Sequence, residues 1–349
     1  MALLTNKNVK IVGVSACVPK NNEENSSSKL LGIEKEAAAF ISSTGIERHR
    51  IADAQCTTSD LCYRAAGRLL EELNWELDTI DALFFVSQTP DYILPATACI
   101  LQSRLGLSKE CYAVDISSGC SGWTYGLSLI SNLLSTGCMK RGLLLSGETL
   151  SKVASPKDKT AWPLFGDAGT ATALEYNIKG GSMVFHCATD GTGYDAILIP
   201  DGGFRNQSNV QSFDYDAATG RNRLSLILKG MDIFSFAINE VPDSVNKLLA
   251  FTDRKSDGID YYLFHQANKQ LNEFIRKTLR LKKEQCPYSL RNFGNTSSAS
   301  IPLTMVTELR EKLKGEKLQL MGCGFGVGLS WCSALFETEN IVVPQLIEI

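Results

Sequence analysis

An α/β fold built from two copies of one unit is what this sequence predicts. Two observations carry that reading. Short apolar runs alternate with longer amphipathic ones along the whole chain. The second half also repeats the order of the first: "DALFFVSQ" (81–88) is answered by "DYYLFHQA" (260–267), and "RGLLLSGE" (141–148) by "KLQLMGCG" (317–324). Asp81 and Asp260 lie 179 residues apart, Cys120 and Asn295 175, and Arg141 and Lys317 176. A near-constant offset over matched elements points to a duplicated unit. The boundary falls near 178–180, so residues 1–179 form one half and 180–349 the other.

Taken in order, "KIVGVSACV" (10–18), within the N-terminal stretch, reads as the first strand. Residues 57–74 read as a helix with Thr58 or Ser59 as cap, because Leu61, Ala65, Leu69 and Leu73 fall on one face. A buried strand follows at 81–89, a helix at 97–107 and a strand at 111–117. "SGWTYGLSLISNLLSTG" (121–137) is apolar nearly all round, which predicts a deeply buried helix ending at Gly137. Residues 141–148 form the next strand. The second half opens with a strand at 181–191, and the polar stretch 201–223 reads as an inserted surface loop. The strand at 260–267 leads at His265 into a helix, "NFGNTSSASIPLTMVTELREKL" (292–313) sets a small-residue turn before another, and 317–324 is again a strand.

Composition excludes several classes. The chain has 349 residues, 44% hydrophobic and 21% charged, with a net charge of -3, so no basic footprint points to nucleic acid. Runs such as "ALFFV" (82–86) are far too short to span a membrane. The N-terminus has no basic segment followed by a long apolar one, which predicts a cytoplasmic protein. The eleven cysteines are scattered, with no Cys-x-x-Cys pair and no zinc spacing. In a reducing compartment most of them are expected to be free and buried.

One cysteine stands apart. In "DISSGCSGWTYG" (115–126), Cys120 is flanked by Ser117, Ser118, Gly119, Ser121 and Gly122. A thiol at a helix start meets free N–H groups and the positive end of the helix dipole, which favour the thiolate. Small neighbours let a substrate carbonyl approach the sulfur. His265 and Asn295 lie on turns that the duplication carries to the same end of the molecule, where α/β folds place their sites. Each has a plainer reading as well. Cys120 could be a small residue at a crowded junction, His265 a capping or core histidine, and Asn295 a turn residue. Their joint occurrence at matched positions favours the functional reading.

The segments "TPDYILPATACILQSRLGL" (89–107), "DISSGCSG" (115–122), "FGDAGTA" (165–171), "HQAN" (265–268) and "GNTSSASIP" (294–302) resemble those of the β-ketoacyl-[acyl-carrier-protein] synthase III family, thiolase-fold condensing enzymes. The resemblance covers nearly the whole chain. It implies a five-layered αβαβα fold, a homodimer, and a Cys-His-Asn triad carried here by Cys120, His265 and Asn295. The implied reaction is a decarboxylative Claisen condensation. Cys120 takes an acyl group from a thioester of coenzyme A or a carrier protein. His265 and Asn295 then stabilise the enolate of malonyl-acyl-carrier protein. The product is a β-ketoacyl thioester, made in fatty-acid initiation or in a specialised acyl pathway. An oxyanion hole is expected from the backbone N–H groups of Cys120 and Val327, with Phe325 and Leu94 at the acyl pocket, Leu94 reaching that of the neighbouring subunit. No metal or cofactor is implied. The alternative reading is an acyltransferase that moves the Cys120-bound group to an alcohol, amine or sugar.

Departures from the family pattern concern the carriers. Where the best-studied bacterial members have a tryptophan and an arginine that hold coenzyme A, this chain has Ala39 and Ser43. Met231 replaces a channel asparagine, Leu94 a common phenylalanine, and Gln270 an arginine associated with carrier-protein docking, with Lys269 beside it. The donor's carrier is therefore open in the sequence.

Overall fold

The structure, a computed structural model, describes residues 2–349. The N-terminal stretch holds two strands rather than one, β1 (Ala2–Lys7) and β2 (Val9–Val18), because Asn8 adopts φ 63° and breaks the run. A short hairpin, β3 (Asn22–Glu24) and β4 (Arg48–Arg50), brackets helix α1 (Glu34–Thr44). Helix α2 (Thr58–Leu73) follows, then β5 (Ala82–Val86), α3 (Thr97–Arg104), β6 (Tyr112–Ile116), α4 (Gly122–Ser135), β7 (Arg141–Glu148) and β8 (Ala168–Tyr176). The cap of α2 is Thr57, one residue before those expected. Thr57 accepts from the Asp60 N–H while Asp60 reaches back to the Thr57 N–H. Ser59 is thereby free to bond Asp91, at 2.7 Å.

The second half comprises β9 (Ser182–Thr189), the two-residue pair β10 (Ile197–Leu198) and β11 (Ile227–Leu228), and helix α5 (Gly230–Phe251). It continues with β12 (Tyr261–Phe264), α6 (Lys269–Thr278), α7 (Leu290–Phe293), α8 (Ser300–Glu308), α9 (Arg310–Gly315), β13 (Lys317–Gly326), β14 (Ser330–Glu339) and β15 (Ile347–Glu348). Two expected elements are shorter than the sequence suggested. The helix after His265 starts only at Lys269, where the Asn268 side chain caps it. The helix expected after the small-residue turn within 292–313 begins at Ser300 and is broken at Leu309.

The duplication is visible in the sheets. One runs β15-β2-β8-β7-β5-β6 and the other β1-β9-β14-β13-β12. The series β2-β8-β7-β5 matches β9-β14-β13-β12 in order and direction, each ending in one parallel pair. Edge strands cross between the halves: β1 pairs with β9, and β15 with β2. The turn at 177–181 joins the two sheets.

Helices α4 and α8 lie between the sheets, α2 and α3 cover the outer face of the first, and α5 and α6 that of the second. This is the five-layered αβαβα arrangement. It explains the all-round apolar character of α4, which buries Trp123, Leu127, Ile130 and Leu134 between strands of both sheets. Each such side chain contributes about 1.5–3 kcal/mol by leaving water. The 201–223 segment is largely exposed, but an ion pair between its ends orders it: Asp201 receives Arg223 at 2.8 Å and Ser212 at 2.7 Å. Cys187 and Cys332, directly opposed on β9 and β14, are disulfide-bonded, and the other nine cysteines are free.

Helix α2 packs directly onto β8, and Gly169 makes that approach possible. A Cβ there would lie 2.5 Å from Cys62 N and 2.6 Å from Leu61 C, both main-chain atoms. Gly67, within α2, has nothing within 4 Å of the same position. Gly169→Ala should therefore lower unfolding stability by about 1–3 kcal/mol or more. Gly67→Ala should raise it by about 0.5–1 kcal/mol. Urea denaturation of the two variants beside the parent checks both signs.

Candidate active site

Three turns converge at one end of the layered core. Cys120 lies between β6 and α4, two residues before the helix begins. The Ser118 N–H bonds the Ile116 carbonyl and the Gly122 N–H the Gly119 carbonyl, which folds the chain tightly around the thiol. Ser121 Oγ meets Ser330 Oγ at 2.7 Å, and Ser330 Oγ donates to the Val327 carbonyl at 2.9 Å. The Cys120 turn is thus tied to the β13–β14 turn. Gly326, with φ 152°, sits where a Cβ would be 2.7 Å from Cys120 Cβ and 3.0 Å from its Sγ, so only glycine lets that turn close over the sulfur.

His265 follows β12 directly. Its N–H bonds the Cys323 carbonyl at 2.8 Å, extending the β12–β13 ladder by one residue, and Asn272 from α6 holds its carbonyl at 3.0 Å. The ring Nδ1 is 2.8 Å from Ser300 Oγ, and Phe325 stands edge-on to the ring at 5.4 Å. Asn295 is held by strand-like pairing with the "FGD" segment: its N–H bonds the Leu164 carbonyl at 2.9 Å, and its carbonyl accepts from Gly166 at 3.1 Å. The Ser297 N–H donates to Asn295 Oδ1 at 2.9 Å, which orients the amide and leaves its NH2 group free.

Cys120, His265 and Asn295 line one cavity of about 160 Å³, together with Phe325, Val327 and Gln88. The rest of its wall is apolar, including Leu164, Leu228, Ile233, Phe234 and Leu271. Burial governs its electrostatics. The imidazole of His265 is pushed down to about 3 by desolvation, against a backbone hydrogen bond with Ser297, and is neutral at ordinary pH. The Cys120 thiol is pushed up by burial, while hydrogen bonds from Ser297 and from the backbone N–H groups of Val327 and Cys120 act in the opposite direction. The expectation that the helix start would favour the thiolate is therefore not met on balance. Loss of water outweighs these hydrogen bonds.

Outside this cavity, Leu94 is 77% exposed on the segment between β5 and α3, beside exposed Tyr92 and Ile93. Lys269 is exposed at the start of α6 and packs its stem over Gly45 at the end of α1. Ala39, Ser43 and Gln270 are exposed, and so is Met231, while its neighbours Gly230 and Ile233 face the cavity. Among the described residues, no cluster of three or more His, Cys, Asp or Glu is placed to hold a metal ion, and no helix is long and apolar enough to cross a membrane.

Sequence reading missed Glu148. Fully buried at the end of β7, it accepts from Thr89 Oγ1 at 2.8 Å, from the Gln88 N–H at 3.1 Å and from Ser87 Oγ at 3.2 Å. Desolvation nevertheless raises its carboxyl to about 8. Because Gln88 lines the cavity, this group fixes the wall beside Cys120. Its signal was an acid ending an otherwise apolar strand, "RGLLLSGE".

Comparison with known proteins shows the family. Residues 114–191 match the family model for 3-oxoacyl-[acyl-carrier-protein (ACP)] synthase III, and residues 249–338 the model for its C-terminal part. A β-ketoacyl-[acyl-carrier-protein] synthase III of Clostridioides difficile is 32% identical over 336 residues, covering 95% of this chain and 99% of its own. One from Xanthomonas axonopodis pv. citri is 34% identical over 333 residues, with 94% and 98% covered. The crystal structure of a 3-oxoacyl-(acyl-carrier protein) synthase from Burkholderia xenovorans LB400 superposes with a TM-score of 0.94 at 41% identity, covering 99% of each chain. With a thiolase fold and relatives of this similarity along almost its full length, the chain belongs to the β-ketoacyl-[acyl-carrier-protein] synthase III family of condensing enzymes.

Proposed function

We propose that this enzyme condenses a Cys120-bound acyl group with malonyl-[acyl-carrier protein]. The observation that carries the reading is the meeting of Cys120, His265 and Asn295, from three separate turns, in one largely apolar cavity. In the first half-reaction the Cys120 sulfur attacks the carbonyl of an acyl thioester of coenzyme A or a carrier protein and expels the donor thiol. In the second, the malonyl carboxylate leaves as carbon dioxide and its bonding electrons pass into an enolate. His265 and the free amide NH2 of Asn295 donate to the enolate oxygen. A neutral imidazole suits that role when Ser300 donates to Nδ1 and the ring proton sits on Nε2. The carbanion attacks the acyl-cysteine carbonyl, whose oxyanion is held by the N–H groups of Cys120 and Val327. Collapse of that intermediate expels the Cys120 thiolate and releases a β-ketoacyl thioester.

The working form in this reading is a homodimer. Three consecutive exposed apolar side chains, Tyr92, Ile93 and Leu94, suit contact with a second copy, with Leu94 entering the neighbour's acyl pocket. In the same reading the carrier protein docks near Lys269, next to the cavity-lining Asn268. The exposed Ala39, Ser43 and Gln270 supply no cation there.

Three outcomes follow. Asn295→Ala should accumulate acyl-enzyme on Cys120, seen by intact mass, yet release carbon dioxide from malonyl-carrier protein about 100- to 1000-fold more slowly, the usual cost of losing one oxyanion donor. Normal decarboxylation combined with failure to acylate would reverse the proposed roles and favour acyl transfer to another acceptor. The raised thiol of Cys120 sets a pH dependence. Because the sulfur is protonated below its pKa, alkylation of Cys120 should climb by about one logarithmic unit per pH unit from roughly pH 7 to 9. No inflection should come from His265, which stays neutral over that span. Finally, sedimentation at micromolar concentration should give a dimer, and a monomer there would overturn the subunit arrangement.

A further inference from the structure

Ser297 touches every member of the proposed triad. It lies between Asn295 and α8, 3% exposed. Its N–H donates to Asn295 Oδ1 at 2.9 Å, its backbone approaches the His265 ring, and its Oγ is 3.6 Å from Cys120 Sγ. Its φ of 49° is in the left-handed region, where glycine or asparagine is the easier choice. A buried serine held there needs a reason beyond the turn. The backbone contacts to Asn295 and His265 could be made by any residue, so only the contact to the sulfur uses the side chain. Against a thiolate the direction of that bond is fixed: the hydroxyl is the donor and the sulfur the acceptor. No side-chain hydrogen bond joins Cys120 Sγ to His265 among the described residues, and Ser297 Oγ is the side-chain partner of the sulfur.

We propose that Ser297 is a further catalytic residue whose hydroxyl donates to the Cys120 thiolate during acylation, leaving His265 and Asn295 to the second half-reaction. The inference rests on Cys120 being the nucleophile. In the step, the S–H bond breaks and the sulfur lone pair forms a bond to the thioester carbonyl carbon. The carbon–sulfur bond to the donor breaks, and the proton ends on the departing thiol. Ser297 neither gains nor loses a proton. It lowers the energy of the deprotonated sulfur in a pocket that otherwise disfavours charge, alongside the N–H groups of Val327 and Cys120. Once the sulfur is acylated it carries no charge, so the bond has little left to stabilise. The contribution is confined to one half of the cycle.

The test uses the full-length enzyme with Ser297→Ala and Ser297→Gly, reading iodoacetamide alkylation of Cys120 by peptide mass spectrometry as well as acylation by a short acyl thioester. Losing one hydrogen bond to a charged sulfur should cut the thiolate fraction about 10- to 100-fold. The higher intrinsic nucleophilicity of a more basic thiolate offsets about half of that on a logarithmic scale. Both variants should therefore be alkylated and acylated about 3- to 10-fold more slowly near neutral pH. Once acylated, they should decarboxylate malonyl-carrier protein within about twofold of the parent. Unchanged alkylation would overturn the proposal, and so would equal losses in both half-reactions. Glycine adopts the left-handed backbone freely, so recovery in Ser297→Gly but not Ser297→Ala would assign the effect to backbone geometry and likewise overturn it. If alkylation depends on Ser297 but no thioester acylates Cys120, the condensation reading fails while this inference stands.

Discussion

Helices α4 and α8 are packed between two sheets, and the exclusion of water from the turns at their starts sets the properties of the polar groups at that end of the molecule. The same packing that buries Trp123 and Leu127 draws Cys120, Asn295 and Ser297 inward. With no solvent to stabilise charge, an imidazole gives up its proton, and a thiol and a carboxyl retain theirs. A site of this kind is reactive through oriented dipoles rather than standing charges. In the proposed reaction its donors are the N–H groups of Cys120 and Val327, the amide of Asn295 and the imidazole of His265. They are aimed by second contacts that occupy their other faces: Ser300 on His265, Ser297 on Asn295, and Ser330 on the Val327 carbonyl. Serine suits these positions because it is small enough to pack at helix starts and satisfies a buried polar atom with a single rotor.

Much of the fold was legible in the sequence because burial leaves a strong periodic mark. Strand β7 coincides with its sequence reading, residue for residue, and the all-round apolar α4 lies where such a helix must, between two sheets. The duplication was legible from offsets alone. Errors clustered where a single backbone angle or one side-chain contact decides the outcome. Asn8 splits an apolar N-terminal run, and Thr57 captures the cap of α2 from two adjacent candidates. Asn268 delays α6 beyond His265.

The candidate site was legible in its residue types but not in its electrostatics. Cys120, His265 and Asn295 could be singled out from their turns, and the structure brings them to one cavity. The balance between hydrogen bonds to a thiol and the loss of water around it could not be read from the chain, because it depends on the depth to which Gly326 and its turn close over the sulfur. Ser297 and Glu148 were hidden for a related reason. In "GNTSSAS" several hydroxyls are equivalent on paper, and only the left-handed backbone at one of them sends its Oγ toward Cys120.

The crossing of edge strands between the halves bears on how the chain is made. β1 precedes its partner β9 by 185 residues, counted from Ala2 to Cys187, and the strand that completes the first sheet, β15, follows β2 by 330, counted from Cys17 to Ile347. Without β15, β2 presents an unpaired edge, of the sort that attracts other chains. Val342, whose N–H and carbonyl bond Val12 and Val14, closes that edge together with β15. Neither half can finish its sheet alone, so the two sheets are completed together, and β2 keeps an open edge until β15 has been made.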